Sequence, residues 1–483
     1  MTADVPSSCS CPASDPWSSR DSSAKRRAHL IGIAGTGMRS LAEVLLGWGW
    51  ELSGSDCDAG PAEFLAAEGV RICAGHAASH VPEQTELVIH SDAIPADNPE
   101  RLRADELRIP TCSYFQMLGR LMASRQGIAV AGTHGKSTTA AMLAEMLVRA
   151  GLDPTVVFGA APLGRNSGGR PGRSELMVAE ACEYRANFLH LRPQHAVILA
   201  IEPDHFDCFD TREQLESAFS RFAASLPAHG LLLVPHGCPA AARAVAASRC
   251  RIETFGLDPA ADWSARDVAG KRARYSFAVF HRGHYLCDAP LRVPGKHNVA
   301  NALAAAALAW ANGVPPEQIT SGLGWFRGLH RRLEAAGSWR GAVLMDDYAH
   351  HPTEVAAGLQ TVRRMYPGRR LWCVFQPHQA SRTRRLLDEL ASSLQNADKV
   401  VVAEIFRARE PPRQPGEVAA ADLARAVGDR GTDVAAVHTT EGIVRWLETE
   451  LGPGDVLITM GAGDIRRICD GFIDRLREDR AAG

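Results

Sequence analysis

Residues 127–141 read GIAVAGTHGKSTTAA, and this stretch decides the fold of the chain around it. The apolar run 128–131 has the composition of a buried strand, residues 132–136 form a glycine loop, and residues 137–150 have the apolar spacing of a helix. This order is typical of a phosphate site, because the loop N–H groups and the helix N-terminus both face an anion. A strand–helix turn that needs glycine only for its dihedral angles is the alternative.

Two side chains at the end of the loop favour phosphate binding over a purely structural turn. Lys136 can reach the β- and γ-phosphates of a nucleotide, and the Ser137 hydroxyl can ligate Mg²⁺. The full GxxxxGK[ST] pattern requires glycine at position 130, where this chain has Val130. The GTHGKS loop therefore differs from the general Walker loop but keeps its lysine and its hydroxyl.

Apolar runs of strand length recur along the chain and alternate with helical spacing. They lie at residues 29–33, in the stretch that ends at 53–56, and at 87–90, 128–131, 176–180, 196–201, 342–345, 371–375, 399–403 and 456–460. Such alternation predicts parallel sheets with helices on their faces. The glycine- and arginine-rich stretch 159–173 is predicted to be an exposed loop.

The predicted fold class is α/β, with three units in series after a short tail. The tail, residues 1–27, is rich in serine and poor in apolar residues, so we expect it to be disordered. The units are predicted at residues 28–125, 126–329 and 330–483. A length of 483 residues agrees with this number, since a domain typically has about 150 residues.

The composition excludes several classes of protein. Hydrophobic residues make up 46% and charged residues 22%, as in globular proteins, and a net charge of −2 provides no basic field for nucleic acid. The longest apolar run, 302–311, has about half the length of a membrane span, so we expect no membrane partner. Twelve cysteines without a CxxC pair argue against a structural zinc site and indicate a reducing, cytoplasmic location.

Two residues that suit a metal ion follow predicted strands of the second unit. Glu180 ends the strand at 176–180, and His205 follows the strand at 196–201. Ligands of open parallel sheets bind at the carboxyl edge, so both residues are expected beside Lys136. A carboxylate suits Mg²⁺ and an imidazole can complete a second metal site, although an isolated histidine is more often structural.

A weaker phosphate signal lies in the first unit. Gly35, Gly37 and Ser40 are similar to a dinucleotide fingerprint, and Asp56 follows Gly37 by 19 residues. The same geometry binds any diphosphate, so a UDP-sugar fits as well as NAD. A tight turn that binds no ligand is the alternative.

Acids, histidines and arginines follow two predicted strands of the third unit. They occur as DDYAHHP at 346–352 and as QPH at 376–378, which Arg382 and Arg384 follow. Such residues suit a site for carboxylates and phosphates, although each cluster could also be a solvated loop. In the second unit, the stretch PGKHN, which ends at Asn298, predicts a helix entry with this asparagine near the cap.

The chain resembles the Mur ligases of peptidoglycan synthesis over about residues 29–470. The resemblance runs in order through HLIGIAGTGMRSLAEVL, SGSD, SDAIPADNPE, AGTHGKSTTAAML, EACEYRANFLHLRP, IEPDHFD, PGKHNVANALAA, GLHRRLE, DDYAHHPTEV, QPHQASRTR and GAGDI. It implies a Rossmann-like UDP-sugar-binding domain, a central P-loop-type ATPase domain with a mostly parallel sheet, and a C-terminal Rossmann-like domain that brings in the amino acid.

The resemblance also implies an activity. An ATP-dependent ligase would join L-alanine to the carboxylate of UDP-N-acetylmuramate through an acyl phosphate, with Mg²⁺ as cofactor, in the synthesis of a peptidoglycan precursor. No lysine lies between His205 and Lys271, so the carbamylated lysine of several Mur ligases is absent, as the alanine-adding branch leads one to expect. The protein is expected to be a monomer or a weak homodimer.

The site residues that the resemblance implies fall into four groups. Catalysis is assigned to Lys136, Glu180, His205, Arg331 and, as base for the amine, His350. ATP binding is assigned to Gly132, Thr133, His134, Gly135, Lys136, Ser137, Thr138, His297, Asn298 and Asp347. The UDP-sugar is assigned to Gly35, Thr36, Gly37, Met38, Ser55, Asp56 and Ser91. The amino acid is assigned to His378, Arg382 and Arg384, and metal to Ser137, Glu180 and His205.

Three positions depart from the family pattern. Arg39 replaces a serine, Cys182 replaces an acid, and Gln379 replaces an arginine. None of these changes affects Lys136 or Glu180, so the catalytic set is expected to be intact.

Three other functions stay open. The first is a related ligase that recycles murein tripeptide onto the same UDP-sugar, which usually lacks the FLHLRP stretch found here. The second is a nicotinamide oxidoreductase that uses Gly35, Gly37 and Asp56, which would leave the Lys136 loop unexplained. The third is a non-catalytic UDP-sugar-binding protein.

Overall fold

The computed structural model describes residues 25–408, 410–436 and 439–482. The predicted tail falls mainly on residues 1–24, which lie outside the described residues. Its predicted end at residue 27 is too late, because Lys25 already pairs with Glu51 and Arg27 belongs to the first strand. Within the described ranges, no helix is long and apolar enough to cross a membrane.

The first sheet has five parallel strands in the order β3-β2-β1-β4-β5. The strands are β1 (Arg27–Ile31), β2 (Glu51–Asp56), β3 (Arg71–Ala74), β4 (Leu87–His90) and β5 (Thr111–Ser113). The helices are α1 (Thr36–Gly47), α2 (Glu63–Ala67), α3 (Pro99–Glu106) and α4 (Tyr114–Ala123), with single 3₁₀ turns at Gly60–Ala62 and Ala78–His80.

The second sheet has nine strands in the order β14-β13-β12-β11-β10-β9-β6-β8-β7. The strands are β6 (Gln126–Ala131), β7 (Thr155–Val157), β8 (Leu176–Glu180), β9 (His195–Ile198), β10 (Leu231–Pro235), β11 (Arg251–Gly256), β12 (Trp263–Lys271), β13 (Arg274–His281) and β14 (His284–Leu291). The helices are α5 (Lys136–Arg149), α6 (Arg212–Ala224), α7 (Pro239–Val245), α8 (His297–Ala311) and α9 (Pro316–Trp325), with a 3₁₀ segment at Tyr184–His190. Strands β12 to β14 pair antiparallel and extend an otherwise parallel sheet.

The third sheet has six strands in the order β15-β16-β20-β17-β18-β19. The strands are β15 (Glu334–Trp339), β16 (Ala342–Asp347), β17 (Leu371–Phe375), β18 (Lys399–Val402), β19 (Asp433–Ala436) and β20 (Val456–Met460). The helices are α10 (Pro352–Met365), α11 (Ala380–Arg385), α12 (Leu387–Leu394), α13 (Ala420–Gly428), α14 (Thr440–Glu450) and α15 (Arg467–Ala482). Only the edge strand β15 runs antiparallel to its neighbour.

The predicted α/β class with mostly parallel sheets is confirmed. Each sheet takes its strands from one predicted unit, but one hydrophobic core joins the first sheet to one face of the second. The other face of the second sheet packs on α5, α8 and α9, and the third sheet has a core on each face. The domain boundaries at residues 125 and 329 stay a prediction.

One of two local predictions is wrong. The stretch 159–173 is not simply exposed, because Ser167 and the two glycines after it are buried against α1. Gly169 comes so close to this helix that a Cβ there would lie 2.2 Å from the Ser40 carbonyl oxygen. The helix entry predicted near Asn298 is confirmed, since α8 begins at His297, and the Asn298 amide donates back to the Pro294 carbonyl.

Candidate active site

The carboxyl ends of strands from all three sheets meet at one cleft of about 820 Å³. The lining residues that follow these strands include Gly35 after β1, Ser91 after β4, Thr133 after β6, Tyr348 after β16, His378 after β17 and Ala462 after β20. Glu180, at the end of β8, completes the set. The cleft therefore lies where open parallel sheets bind their ligands.

Two glycines of the loop after β6 have a positive φ and leave no room for a Cβ unless neighbouring atoms shift. Gly135 has φ +79°, and a Cβ there would lie 2.5 Å from the Asn301 side-chain oxygen. At Gly132, with φ +119°, a Cβ would lie 2.6 Å from the Leu199 backbone nitrogen. These contacts place the loop and the N-terminus of α5 on the cleft, as the sequence predicts.

The Lys136 ammonium group lies in the loop and contacts a carboxylate of the protein. Its Nζ donates to the Gly132 carbonyl at 2.6 Å and to both Glu183 oxygens at 2.9 and 3.2 Å. Burial opposes the charge of Lys136, but the Glu183 charge outweighs it and raises the lysine pKa. The same pairing lowers the pKa of buried Glu183 to about 2. Lys136 is therefore a cation at the position where phosphate oxygens are predicted.

Ser137 and Glu180 place oxygen atoms beside the loop. The Ser137 hydroxyl donates to Glu180 Oε2 at 2.9 Å, and the Gly159 N–H donates to the same oxygen at 2.8 Å. A hydroxyl and a carboxylate in contact are hard oxygen donors, which is the set that Mg²⁺ prefers. The predicted metal ligands Ser137 and Glu180 are thus brought together.

His205 lies in the cleft, as predicted, and its imidazole contacts Glu183. Its Nε2 is 3.2 Å from Glu183 Oε1, and Cys182 completes a group of three potential ligands. The His205 backbone has φ +55°, which a polar residue adopts only when its surroundings hold it there. Glu183 therefore lies between Lys136 and the His205 imidazole.

A buried ion pair crosses from the second unit to the third. Arg382 donates from Nε and Nη2 to Asp204 Oδ1 at 2.8 and 2.6 Å, and its Nη1 lies 2.6 Å from His378 Nδ1. Burial opposes the ionisation of Asp204, but the Arg382 guanidinium holds the pKa of Asp204 well below its usual range. Burial, followed by the neighbouring His350 and the Arg382 guanidinium, lowers the pKa of His378 to about 2. Arg382 is thus held rigidly, with part of its charge neutralised.

Arg331 and His350 lie on the wall formed by the third unit. The Arg331 guanidinium bonds Asp346 at 3.2 Å and the Gly461 carbonyl at 2.7 Å, and it lies over the Tyr348 ring. His350 Nδ1 is 3.0 Å from the Tyr348 carbonyl, and burial lowers the His350 pKa to about 4. His350 is therefore neutral near pH 7, with Nε2 as the proton acceptor of its ring.

Most residues predicted for the UDP-sugar line the cleft, and Ser55 does not. Gly35, Thr36, Gly37, Met38 and Ser91 are among the lining residues. Ser55 is fully buried, and its hydroxyl donates to Glu100 at 2.6 Å, so the structure assigns it to the core of the first unit. Asp56 is not among the lining residues either; it accepts from the Ala34 N–H at 2.9 Å and so stabilises the glycine turn.

Several residues predicted for ATP and for the amino acid also lie off the cleft. His297 is exposed at the start of α8, and the Asn298 amide is taken up by Pro294 and Asn301. Thr138 is half-buried in the first turn of α5. Asp347 is buried, and its burial raises the carboxyl pKa to about 7.

Arg384 and His134 are not among the residues that line the cleft, where they were predicted. Arg384 is exposed on α11, so the structure does not bring it to the cleft with Arg382 and His378. His134 turns away from the cleft toward Glu202 and Glu354.

Sequence reasoning missed Glu183 and Asp204, the two acids that order the basic side chains of the cleft. Both stand within three residues of a predicted ligand, Glu180 or His205. A signal was therefore present, because acids that follow strand ends at one sheet edge are candidates for the same site.

Comparison with known protein families gives three consecutive matches. The Mur ligase family catalytic domain matches residues 27–126, the Mur ligase middle domain matches 130–309, and the Mur ligase glutamate ligase domain matches 331–463. Together the matches extend over the three sheets.

Curated relatives and solved structures agree with these matches. The chain is 38% identical to the UDP-N-acetylmuramate–L-alanine ligase of Clostridium novyi, over 93% of this chain and 97% of the relative. It is 40% identical to the enzyme of the same name from Desulfitobacterium hafniense, over 91% and 98%. The crystal structure of a UDP-N-acetylmuramate–alanine ligase from Thermotoga maritima is similar with TM-score 0.80 and 26% identity, over 94% and 99%. A murein peptide ligase from Psychrobacter arcticus is similar with TM-score 0.71 and 25% identity, over 93% and 98%.

Proposed function

The chain belongs to the Mur ligase family, and we propose from this membership that it joins L-alanine to the carboxylate of UDP-N-acetylmuramate at the expense of ATP. Relatives that carry the alanine ligase name match nearly the whole chain at 36–40% identity. The reaction forms ADP, phosphate and an amide, and it belongs to the synthesis of peptidoglycan precursors.

One observation carries the proposal. A single cleft joins the glycine turn after β1, the Lys136 loop after β6 and the Arg382 wall after β17. A ligase needs these three functions side by side, because a nucleotide sugar, a phosphoryl donor and an amino acid must meet at one carboxylate. A protein that only binds a UDP-sugar would need the first wall alone.

A carboxylate is a poor acyl donor because its leaving group would be oxide. In the proposed first step a carboxylate oxygen of the muramate attacks the γ-phosphorus of ATP, the bond to the β-phosphate oxygen breaks, and ADP leaves. Phosphoryl transfer depends on positioning and on neutralising charge. Lys136 provides a cation in the loop, and Arg331 provides a second one from the opposite wall.

Ser137 and Glu180 are the residues that would hold Mg²⁺, with Glu183 and His205 close by. The contact of the Ser137 hydroxyl with Glu180, at 2.9 Å, fits a hard cation because both donors are oxygen atoms. When bound, the ion neutralises charge on the phosphate oxygens. When phosphate enters the loop, it would replace Glu183 as the partner of Lys136.

In the proposed second step the alanine amine attacks the acyl carbon, and phosphate leaves. The amine must first lose a proton, and His350 is the candidate base because its ring is neutral and its Nε2 is unprotonated. Arg382 and His378 are proposed to meet the carboxylate of alanine, beside Gln379 in the same wall. Arg384 is not retained in this role because it is exposed.

Two other functions receive less support. The murein peptide ligase fold is similar, with TM-score 0.71 against 0.80 for the alanine ligase. A nicotinamide oxidoreductase would use the first sheet alone and would leave the Lys136 loop and the third unit without a role.

The cellular setting is also a proposal. All ten cysteines of the described chain are free, which agrees with a reducing cytoplasm, where ATP and nucleotide sugars are available. A monomer or weak homodimer is the proposed state.

The test is the release of phosphate from ATP by the purified protein with UDP-N-acetylmuramate. The assay compares L-alanine, murein tripeptide and no acceptor. We expect release that depends on both UDP-N-acetylmuramate and L-alanine. Faster phosphate release with tripeptide than with alanine would favour the recycling ligase. Phosphate release without any acceptor would contradict both ligases.

A further inference from the structure

A second group of metal-ligating side chains lies outside the cleft, where the second unit meets the third. The group consists of His134 in the loop after β6, Glu202 after β9 and His351 before α10. One ligand atom from each residue lies within 4.8 Å of the other two. None of the three residues lines the cleft, although Glu354, which contacts His134, does, so the group borders the cleft from outside.

The distances in this group match the spacing of ligands around one ion. His134 Nε2 lies 3.3 Å from Glu202 Oε2, and His351 Nδ1 lies 3.7 Å from the same oxygen. Ligands that bind a tetrahedral ion at about 2.0–2.1 Å are about 3.3–3.5 Å apart. The two contacts to Glu202 are therefore close to the required spacing, and all three ligand atoms lie within 4.8 Å of one another.

The far nitrogen of each imidazole already has an acceptor. His134 Nδ1 is 3.0 Å from Glu354 Oε1, and His351 Nε2 is 3.3 Å from the Pro203 carbonyl oxygen. A ring that donates its N–H on the far side keeps its lone pair on the near side, toward Glu202. Carboxylate and carbonyl partners of this kind are what orients metal-bound histidines in proteins.

We propose that His134, Glu202 and His351 form a binding site for a divalent transition-metal ion, of the Zn²⁺ or Co²⁺ type, that joins the second unit to the third. Two imidazoles and one carboxylate favour such ions over Mg²⁺, which prefers oxygen ligands. His134 and Glu202 come from the second unit and His351 from the third, so a bound ion ties the two units together. The site does not depend on the proposed reaction.

Two existing contacts compete with an ion and have to be given up in part. The Thr353 N–H donates to His351 Nδ1 at 3.3 Å, and the Thr353 hydroxyl donates to Glu202 at 2.6 Å. The first contact is long, and Glu354 Oε2 also accepts from the His350 N–H at 3.3 Å, so the start of α10 keeps a partner. The second contact uses one lone pair of a carboxylate that offers several.

A proton is the alternative occupant of the same position. A doubly protonated His134 donates to Glu202 and to Glu354 and accounts for the same short distances without an ion. A second candidate group, Cys182, Glu183 and His205, lies in the cleft, and a metal ion bound there would also give a signal in a binding experiment. The experiment has to separate these three cases.

Co²⁺ is the probe, since its visible absorption reports coordination geometry and a thiolate ligand adds a charge-transfer band in the near ultraviolet. The full-length protein is stripped of metal and titrated with Co²⁺ in excess Mg²⁺. The variants are His351→Gln and Glu202→Gln, which remove one proposed ligand each. The controls are Cys182→Ser and His236→Gln, the latter a histidine beside a lone carboxylate, Asp258.

We expect one Co²⁺ to bind the wild type with tetrahedral visible bands and no dependence on Cys182. The affinity should fall at least tenfold in His351→Gln and in Glu202→Gln, and stay unchanged in Cys182→Ser and His236→Gln. Zn²⁺ should displace Co²⁺ and raise the Tm of the wild type but not that of Glu202→Gln.

Three results would overturn the proposal. The first is an equal affinity for Co²⁺ in the wild type and both ligand variants. The second is loss of the visible bands in Cys182→Ser. The third is no binding of Co²⁺ to the wild type, which would leave a proton as the sole occupant. Circular dichroism checks that each variant is folded. Should His351→Gln unfold, Glu202→Gln decides, because its amide oxygen still accepts from Thr353.

Discussion

At the scale of single residues, the cleft is organised by acids that hold basic side chains in place. Glu183 holds Lys136, and Asp204 holds Arg382. In both pairs the side chains are almost fully buried, so the loss of one partner would leave the other charge uncompensated. The contacts keep long flexible cations in fixed positions before any substrate enters.

Lys136 provides the first prediction at this scale. We expect Lys136→Ala to lower kcat by about 10³-fold or more, because it removes the cation of the phosphate loop. The control is Lys271→Ala, an exposed lysine at the end of β12, which should keep full activity. Steady-state phosphate release measures both. Turnover of Lys136→Ala within tenfold of the wild type would refute the assignment of the loop.

Gln379 provides the second prediction. It lines the cleft at the start of α11, and it replaces the arginine of the family pattern. A guanidinium there would bind the carboxylate of alanine through charge-assisted hydrogen bonds, worth about 1.5–3 kcal/mol against about 1 for a neutral amide. We therefore expect Gln379→Arg to lower the KM for L-alanine by roughly tenfold and to leave the KM for ATP unchanged.

The competing explanation is that Arg382, proposed above to meet that carboxylate, already binds it so tightly that a second guanidinium at position 379 adds nothing. Its guanidinium is bonded to Asp204 and His378, which leaves little of its charge for a substrate. Under the competing explanation Gln379→Arg changes neither KM, whereas Arg382→Ala raises the KM for alanine sharply. Measuring both variants against both substrates separates the two.

At the scale of elements, a buried network around Glu100 fixes the first sheet. The carboxylate at the start of α3 accepts from Ser55 on β2 at 2.6 Å and contacts His29 on β1 at 2.8 Å. Its other oxygen lies 3.3 Å from His76 and from His80. One buried side chain thus connects two strands, a helix and the loop after β3.

Removing this carboxylate should destabilise the protein strongly. We expect Glu100→Ala to cost about 3–5 kcal/mol of unfolding free energy, because His29 and Ser55 lose their buried partner. The matched control is Glu106→Ala in the same helix, an exposed residue whose loss should cost no more than about 0.5 kcal/mol. Urea denaturation measures both, and equal effects would show that the network is not stabilising.

The pH dependence of stability gives a further test of Glu100. Burial opposes its charge, but hydrogen bonds from His29 and Ser55 lower its pKa in the folded protein to about 2. The unfolded value is about 4.3, so the stabilisation is complete above that pH and is lost as the pH falls toward 2. The wild type should therefore lose stability between pH 5 and 2 more steeply than Glu100→Ala, as measured by thermal unfolding.

The elements themselves were predictable to different degrees. Strands at 176–180, 371–375 and 456–460 have the predicted bounds, because a strand buried on both faces is a continuous apolar run. Strands β12 to β14 and β15 were missed, since hairpin strands with one exposed face alternate polar and apolar residues. Strand β3 was missed because it is a short edge strand with partly exposed residues.

At the scale of the whole molecule, the third unit docks mainly on one segment of the second, residues 202–210, and makes a further contact from Glu354 to His134. Arg382 pairs with Asp204, Thr353 bonds Glu202, and Phe206 packs against the core of the third unit. Arg385 also donates to the Asp210 carbonyl. Closure of the cleft therefore depends mainly on contacts to a single loop.

Breaking the buried pair should open the molecule. We expect Asp204→Asn to increase the radius of gyration in small-angle X-ray scattering, because a buried guanidinium without its carboxylate destabilises the docked arrangement by about 3–5 kcal/mol. The control is Asp210→Asn, whose side chain is exposed at the end of the same loop. An unchanged radius in Asp204→Asn would show that other contacts hold the units together.

Contacts between units were not predictable from the sequence. The glycine loop, Glu180 and His205 could be placed on one sheet edge because parallel strands share their carboxyl ends. The partners of His134 and Arg382 in other units, Glu354 and Asp204, could not, since they lie 220 and 178 residues away in sequence and depend on how the units dock. Ser55 was misplaced because a serine near the end of a strand gives no sign of whether it is buried.

The central claim, that the cleft activates a carboxylate by phosphorylation and transfers it to L-alanine, is tested most directly by isotope transfer. UDP-N-acetylmuramate labelled with ¹⁸O in its carboxylate is incubated with the protein, ATP, Mg²⁺ and L-alanine, and the products are analysed by mass spectrometry. We expect the alanyl amide to form and one ¹⁸O atom to appear in each inorganic phosphate released. Phosphate without ¹⁸O, or phosphate release without the amide, would contradict the account.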